Sequence, residues 1–551
     1  MNPAGESLRA GSIGLVSSEP RVFATVDHGT ASIAVSLVGW LGGRWCFLGS
    51  TAGPAATGED ILLERLRGRV AAADAELAGL CGLAAPEALA DVARLTTRTA
   101  APPLIVVAAA TDRVLAPLAE DASAAGWRVV PVAIDGAGIL GVATALADPT
   151  VDAVLAATGD PPGADERGLI AELGSLVAGA AGRRPDLPIV LAGALAEQRG
   201  TAGARVAHDR PGRTILVPSG PPDGGARLRA LLDELRGAAD DGRRAMAVAA
   251  ASLAEVMQRR VEVIEIGQSA GFRAAASWAP GDDAPVVVSA TVAAGALVPH
   301  EDEDAVVDGV FGWLTVPIDR LRVRDRLREL VLAPWGDLAG DGALLRLAAA
   351  RAAVVRLVAA TPEIDELPAP DLLVVSGGAW SVAPGPAIAL AIADSARRPG
   401  VRALGLDHAR LLAPLGTIED PAERLGVMAD LRDELLVPLG SVLMPAGFHG
   451  GRAAGRLTAL RPEGSIELDL VPGGLELVDL PPGELAVVEL QFRDPVDLGR
   501  PGRRFAVEVT GGLGGLLVDL RDIPLRLPDR PERRRELLAA WQAAVWPGIN
   551  G

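Results

Sequence analysis

The sequence predicts a mixed α/β protein built on more than one sheet, and three stretches carry that expectation. Between about Pro102 and Leu235, five short apolar runs alternate with helical stretches; strands alternating with helices imply a parallel sheet covered on both faces. At Val22–Leu37, "VFATVDHGTASIAVSL" sets a sharp polar turn between two apolar strands. After about Leu439, "GSIELDLVPGGLELVDLPPGELAVVELQFRD" alternates apolar and polar positions between Pro-Gly turns, the pattern of an antiparallel β-domain. The 551 residues correspond to three or four domains at roughly 150 residues each.

Taken in order, residues 1–20 read as a loose tail. Residues 21–100 form a first unit: strand-like runs from Arg21 to Gly53, with a β-turn in "GWLGGRWCFLG", precede a helix at about Gly58–Leu80. Leu63, Leu66, Val70 and Leu77 recur there at helical spacing. "TAAPPL" breaks the chain. Residues 101–236 hold "LIVVAAA", "WRVVPVAI", "VDAVLAAT", "PIVLAGA" and "TILVPSG", separated in several places by helices such as "ERGLIAELGSLVAGAAG". Residues 237–438 repeat the strand-and-helix texture with "VEVIEIG", "FRAAASW", "VVVSATVAAG", a long helix near Gly342–Ala360 and "DLLVVSGGAW". The antiparallel domain takes 439–527, and 528–551 ends on the amphipathic helix "RPERRRELLAAWQAAVWPG".

The chain is 49% hydrophobic and 22% charged, enough to bury substantial cores. Aromatics are only 3% and tyrosine is absent, so Ala, Val, Leu and Ile must fill those cores. Every basic residue is arginine, consistent with GC-rich codons. A formal net charge of −18 argues against nucleic acid, which needs a basic surface to displace counterions. Cys46 and Cys81 are too few for a zinc site or a disulfide framework. The N-terminus has no basic start followed by an apolar core, and Gly, Pro, Asp or Arg interrupts each apolar run before membrane-spanning length. A soluble cytoplasmic protein is expected.

Several constellations bear on chemistry. In the first turn, Asp27, Gly29, Thr30 and Ser32 have the types and spacing to cradle a phosphate and its magnesium, since such a turn presents backbone N–H groups while the carboxylate holds a metal through water. A plain polar hairpin turn uses the same residues. "EIGQSAG" matches the nucleophile elbow G-x-S-x-G at Ser269, with Asp304 and His408 or His449 as candidate partners. Against a serine hydrolase, the "HGG" at His449–Gly451 follows the serine, and the next segment is strand-like. "DGAGILG" spaces Gly136, Gly138 and Gly141 as a dinucleotide fold would, but a complete strand and helix come before it, which favours a turn and helix start. "PHEDEDAVVD" clusters Glu301 to Asp304 beside His300, as a solvated acidic loop does. Ser376-Gly377-Gly378 ends a strand, where missing side chains allow close approach to a planar ligand, or a simple turn.

The order of Asp-x-Gly-Thr near the start, Gly and Ser after a middle strand and Gly-Gly after a later one resembles the actin, sugar-kinase and Hsp70 superfamily. Within it the chain resembles the MutL-type proteins of glutamate mutase loci, unrelated to the mismatch-repair protein of that name. "VLAATGD", "LLRLAAARAAVVRLVAAT", "GVRALGLDHARLLAPLGTI" with Asp407 and Leu415-Gly416, and "GGLGGLLVDLRDIPLRLP" extend the resemblance over most of the chain. It implies an actin-like (ribonuclease H-like) two-lobed fold with an inserted α/β domain, 21–100 and 237–438 being the lobes. It implies an ATP and Mg2+ site formed by Asp27, Gly29, Thr30, Ser32, Glu265, Gly267, Ser269, Ser376, Gly377 and Gly378, with Asp27 and Glu265 on the metal. The implied role is activation of an adenosylcobalamin-dependent mutase; the alternative is a non-catalytic actin-like scaffold. Where that family commonly has a lysine, Ala34 stands. Its second phosphate motif, Asp-x-Gly-Gly-x-Thr-Thr-Asp, is here Glu265 to Phe272, with Gln268 in a glycine's place and both threonines gone. At most a slow ATPase is expected. The mutase's own cobalamin motif, Asp-x-His-x-x-Gly, is absent.

Overall fold

The computed structural model describes residues 22–546 except 86–88, 91, 160–162, 198–213, 218–223, 237–240, 279–284, 293–294, 296–302, 337–338, 382 and 448–453. The expected tail, His300 to Asp302 and His449–Gly451 lie outside the described residues. Chain order begins with a meander of β1 (Val22–His28), β2 (Ser32–Leu41) and β3 (Arg44–Pro54), with β4 (Ala93–Arg98) added parallel to β1. The helix expected at Gly58–Leu80 is two helices, Glu59–Ala73 and Ala75–Leu80. Asp74 divides them with an extended backbone, and its carboxylate accepts the Leu77 N–H, as an N-cap aspartate does. Leu62, Leu63, Leu66 and Val70 pack on Ala24, Val26, Val35 and Leu37.

The middle of the chain forms the expected parallel sheet. β5 (Leu104–Ala109), β6 (Arg128–Ala133), β7 (Ala153–Ala157), β8 (Ile189–Ala192) and β9 (Thr214–Val217) run in the order β6-β5-β7-β8-β9. Ile105 and Val107 feed the core on one face, Val106 and Ala108 that on the other. "DGAGILG" falls within the helix Ile134–Ala147, where Gly138, at φ 71°, leaves the helical region.

The next segment repeats the opening one. β10 (Val261–Ile266), β11 (Gly271–Ser277) and β12 (Val286–Val292) form a meander, and β13 (Leu372–Ser376) adds parallel to β10. The two orders, β3-β2-β1-β4 and β12-β11-β10-β13, match. So does the register: Asp27 pairs with Ala34 and Glu265 with Phe272, each seven residues on. This duplication is the two-lobed, actin-like arrangement. β14 (Gly400–Leu406) continues parallel to β13, and β15 (Val437–Met444) closes back antiparallel. The lobes share a core in which Phe23, Val38 and Trp45 meet Met246, Leu253, Leu411 and Leu415.

After β15 come β16 (Gly455–Arg461), β17 (Gly464–Leu470), β18 (Leu475–Val478), β19 (Leu485–Asp497), β20 (Pro501–Thr510) and β21 (Leu516–Asp519). Four of them make the antiparallel sheet β17-β16-β19-β20. Burial alternates along most of β19, as a sheet with one wet face requires. β21 and β18 leave that sheet: β21 pairs parallel to β15, and β18 then pairs with β21, extending the second lobe's sheet to eight strands. Among the described residues, no helix is long and apolar enough to cross a membrane.

A chain of buried ion pairs fastens this extension to the lobe. Arg397 meets Asp519 at 2.6 Å, Asp519 meets Arg521 at 2.7 Å, Arg521 meets Asp394 at 2.8 Å and Asp394 meets Arg351 at 3.0 Å. None of the five is more than 4% exposed, and the Arg521 guanidinium also lies 4.4 Å from the centre of the Trp541 ring. Burial by itself would raise the Asp519 carboxyl, but Arg521 and Arg397 outweigh it and hold it below the usual range. Breaking such a network strands a buried charge, so Arg521→Met should lose about 3–5 kcal/mol in urea unfolding. Because Asp519 is depressed, its contribution is present above about pH 4 and drains as pH falls through its lower folded value. Asp519→Asn should therefore cost more at pH 7 than at pH 3.

Candidate functional site

The duplicated hairpins bring their turns face to face. In the first, the Gly29 N–H donates to the Ser32 carbonyl at 2.9 Å; in the second, the Gly267 N–H donates to the Ala270 carbonyl at the same distance. The Ser269 hydroxyl crosses the gap and donates to Thr30 Oγ1 at 3.2 Å. The loop after the helix Arg320–Leu332 closes one side, where Trp335 Nε1 donates to the Ala31 carbonyl at 3.2 Å. Arg346 donates to the carbonyls of Pro334 and Gly336 and so fixes that loop. The cleft's space, open solvent included, comes to about 850 Å³.

Asp27, Gly29, Thr30, Ser32, Glu265, Gly267, Ser269, Gly377 and Gly378 all line this cleft, as does Gln268. Ser376 sits just behind it, buried, and donates to Asp407 Oδ2 at 3.0 Å. Gly377 has φ 99°, and a Cβ there would stand 2.3 Å from the Ile266 carbonyl. What approaches this glycine is thus the end of β10.

Arg410, like Trp335, is a residue the sequence reading missed. It follows β14 with φ 52°, and its side chain enters the cleft floor. Nη1 donates to Ser32 Oγ at 2.8 Å and lies 3.6 Å from Asp27 Oδ2. A Cβ on Gly378 would stand 2.9 Å from Arg410 Nη2, so that glycine leaves the guanidinium its room. Thr97 donates to Asp27 Oδ1 at 3.1 Å. Burial raises the Asp27 carboxyl above its ordinary range, against the lowering effects of Arg410 and the Thr97 hydroxyl. Burial also pushes Asp407 up to about 6, against the Leu411 N–H and the Ser376 hydroxyl, and the charge of Asp27 adds to the rise. The available signal was position: β14 runs parallel to β13, and ligands gather beyond the carboxyl ends of parallel strands.

The other constellations are not assembled for chemistry. Ser269 sits in an antiparallel hairpin turn followed by β11, not on a strand-to-helix elbow. Asp304 pairs with Arg320 and Arg324, and Glu303 with Arg328. His408 lines a separate cavity behind Arg410 and does not line the cleft that holds Ser269. Among the described residues, no three His, Cys, Asp or Glu side chains converge to hold a metal. A divalent cation needs free carboxylate lone pairs and no competing cation close by. Asp27 instead has one oxygen accepting from Thr97 and the other facing Arg410, and the fixed positive charge there does not fit a magnesium ion on Asp27.

No protein-family model and no curated protein sequence matches the chain. Among solved structures, it is similar to a nucleotide-free acetone carboxylase (12% identity, TM-score 0.26, covering 82% of this chain and 81% of that one). It is also similar to an activator of the 2-hydroxyisocaproyl-CoA dehydratase from Clostridium difficile with bound ADPNP (9%, 0.27, 73% and 95%). A ligand-bound xylulose kinase from Lactobacillus acidophilus is a third (10%, 0.26, 74% and 92%). At these identities and TM-scores, the likenesses bear on neither the ligand nor the partner of this chain.

Proposed function

We propose that this chain binds ATP between its two lobes and uses the bound state to act on a partner enzyme, hydrolysing the nucleotide slowly or not at all. The observation that carries this is the pairing of two hairpin turns, alike in register and hydrogen bonding, across one shared cavity. The Thr30, Ser32 and Ser269 hydroxyls and the Arg410 guanidinium line this cavity, and charged and hydroxyl donors are what a phosphate group requires. The two turns are bridged across the cleft by the Ser269 hydroxyl, so entry of a nucleotide between them needs the turns to part. The Ser269–Thr30 and Trp335–Ala31 hydrogen bonds are the ones that must open. A ligand that favours one separation of the lobes shifts the population toward it, and a partner that reads that separation is controlled by it. The partner assigned is an adenosylcobalamin-dependent mutase, on the order of motifs along the chain.

Slow turnover follows from Gln268. Phosphoryl transfer depends mostly on positioning and electrostatic stabilisation, and a bulky amide in a glycine's place displaces phosphate before it abolishes binding. The second reading, a scaffold that binds no nucleotide, is favoured by one observation: Asp27 already has partners inside the fold.

Titration calorimetry with ATP separates the two readings, binding supporting the first and its absence the second. Thr30 is exposed at the cleft rim; Thr30→Asp would set a carboxylate against the phosphate and should weaken ATP binding by about tenfold or more. Hydrolysis by the unaltered chain should be about 10⁻³ s⁻¹ or below, the scale of unassisted nucleotide binders. The double change Gln268→Gly with Ala270→Thr should raise that rate in a phosphate-release assay, and an unchanged rate would place the defect outside this turn.

A further inference from the structure

We infer that Arg410 is the cation of the cleft, and that ATP binds here without a divalent metal. This rests on the nucleotide reading above and goes beyond it. The guanidinium reaches into the space where a metal carried by Asp27 would have to stand, 3.6 Å from Asp27 Oδ2 and 2.8 Å from Ser32 Oγ. A divalent cation beside it would meet direct charge repulsion in a poorly hydrated setting. The other Asp27 oxygen accepts a hydrogen bond from the Thr97 hydroxyl. Neither contact is an accident of a loose side chain, because only 11% of the Arg410 side chain is exposed.

The backbone that delivers Arg410 is held as firmly. Its N–H donates to the Asp407 carbonyl at 3.3 Å, and the next N–H, of Leu411, donates to Asp407 Oδ1 at 2.9 Å. Its φ of 52° is a left-handed conformation that a non-glycine residue keeps only when its surroundings fix it. The same guanidinium lines the cavity formed by the two turns. Arginine keeps its charge at any working pH and offers a planar fork that matches a phosphate. When nucleotide enters, Arg410 turns donors from Ser32 toward the phosphate and keeps Asp27 as its counter-charge. The metal's usual task of neutralising the phosphate therefore falls to a side chain of the protein itself.

The test is calorimetric titration of ATP into the full chain, once in EDTA and once with magnesium chloride. Unaltered protein should bind equally in both buffers. Arg410→Gln should weaken binding in EDTA by about tenfold or more, the worth of a charged hydrogen bond, and magnesium should recover part of it because Asp27 is then released to the metal. Arg410→Lys, which keeps the charge, should remain insensitive to EDTA, and thermal melts of each variant identify any that fail to fold. Asp27→Asn gives an independent arm: freeing Arg410 from its counter-charge should tighten ATP binding in EDTA, whereas loss of a metal-holding Asp27 would weaken binding in magnesium. If unaltered protein binds ATP with magnesium and loses it in EDTA, the inference is overturned and the nucleotide reading survives. If ATP binds in neither buffer, both fall.

Discussion

The guanidinium of Arg410, 2.8 Å from Ser32 Oγ and 3.6 Å from Asp27 Oδ2, joins the end of β14 to the first hairpin turn, and the form of the cleft depends on it. Without that charge the Asp27 carboxylate would keep the Thr97 hydroxyl at hydrogen-bond distance but lose the guanidinium 3.6 Å away, and neutral donors compensate an anion less than a guanidinium does. Burial raises the Asp27 carboxyl even so, and it carries Asp407, whose donors are the Leu411 N–H and the Ser376 hydroxyl, up to about 6. Gly378 follows from the same constraint, since a side chain there would collide with Nη2. One long side chain thus holds a turn and accounts for a glycine.

The same residue type solves the charge problem elsewhere. With no lysine in the chain, every buried cation is a planar guanidinium, able to engage two carboxylates at once. Arg521 does so with Asp519 and Asp394, and Arg273 does so with Glu262 and Asp365. Such pairs offset a large desolvation penalty only when geometry is good and each charge has its counterpart. They suit a protein whose cores are filled by small aliphatic side chains and that has few aromatics to fix orientation by shape.

What the sequence revealed, and what it hid, follows the range of the interactions involved. The five strands β5 to β9 were legible because each is a short apolar run bounded by turn residues, a property of the local chain. The two hairpin turns were legible for the same reason, and the cleft they line contains every proposed residue except Ser376. Arg410 and Trp335 were not, because their partners Ser32 and Ala31 lie 378 and 304 residues away and neither carries a motif of its own. The split at Asp74 was hidden by a helical periodicity that runs on through it. β18 and β21 are four-residue, largely apolar segments with no motif of their own; only pairing across the fold decides which sheet receives them.

That last placement has a consequence for how the protein is made. β15 ends at Met444, yet the strand that covers its outer edge, β21, begins at Leu516. As the chain emerges from the ribosome, the second lobe's sheet therefore stands with an open, apolar edge while about seventy further residues are synthesised (516 − 444 = 72). An exposed edge of that kind is a template for pairing with another chain. The antiparallel sheet β17-β16-β19-β20, made almost wholly within that interval, then acts as a spacer that folds locally and delivers β21 to the waiting edge.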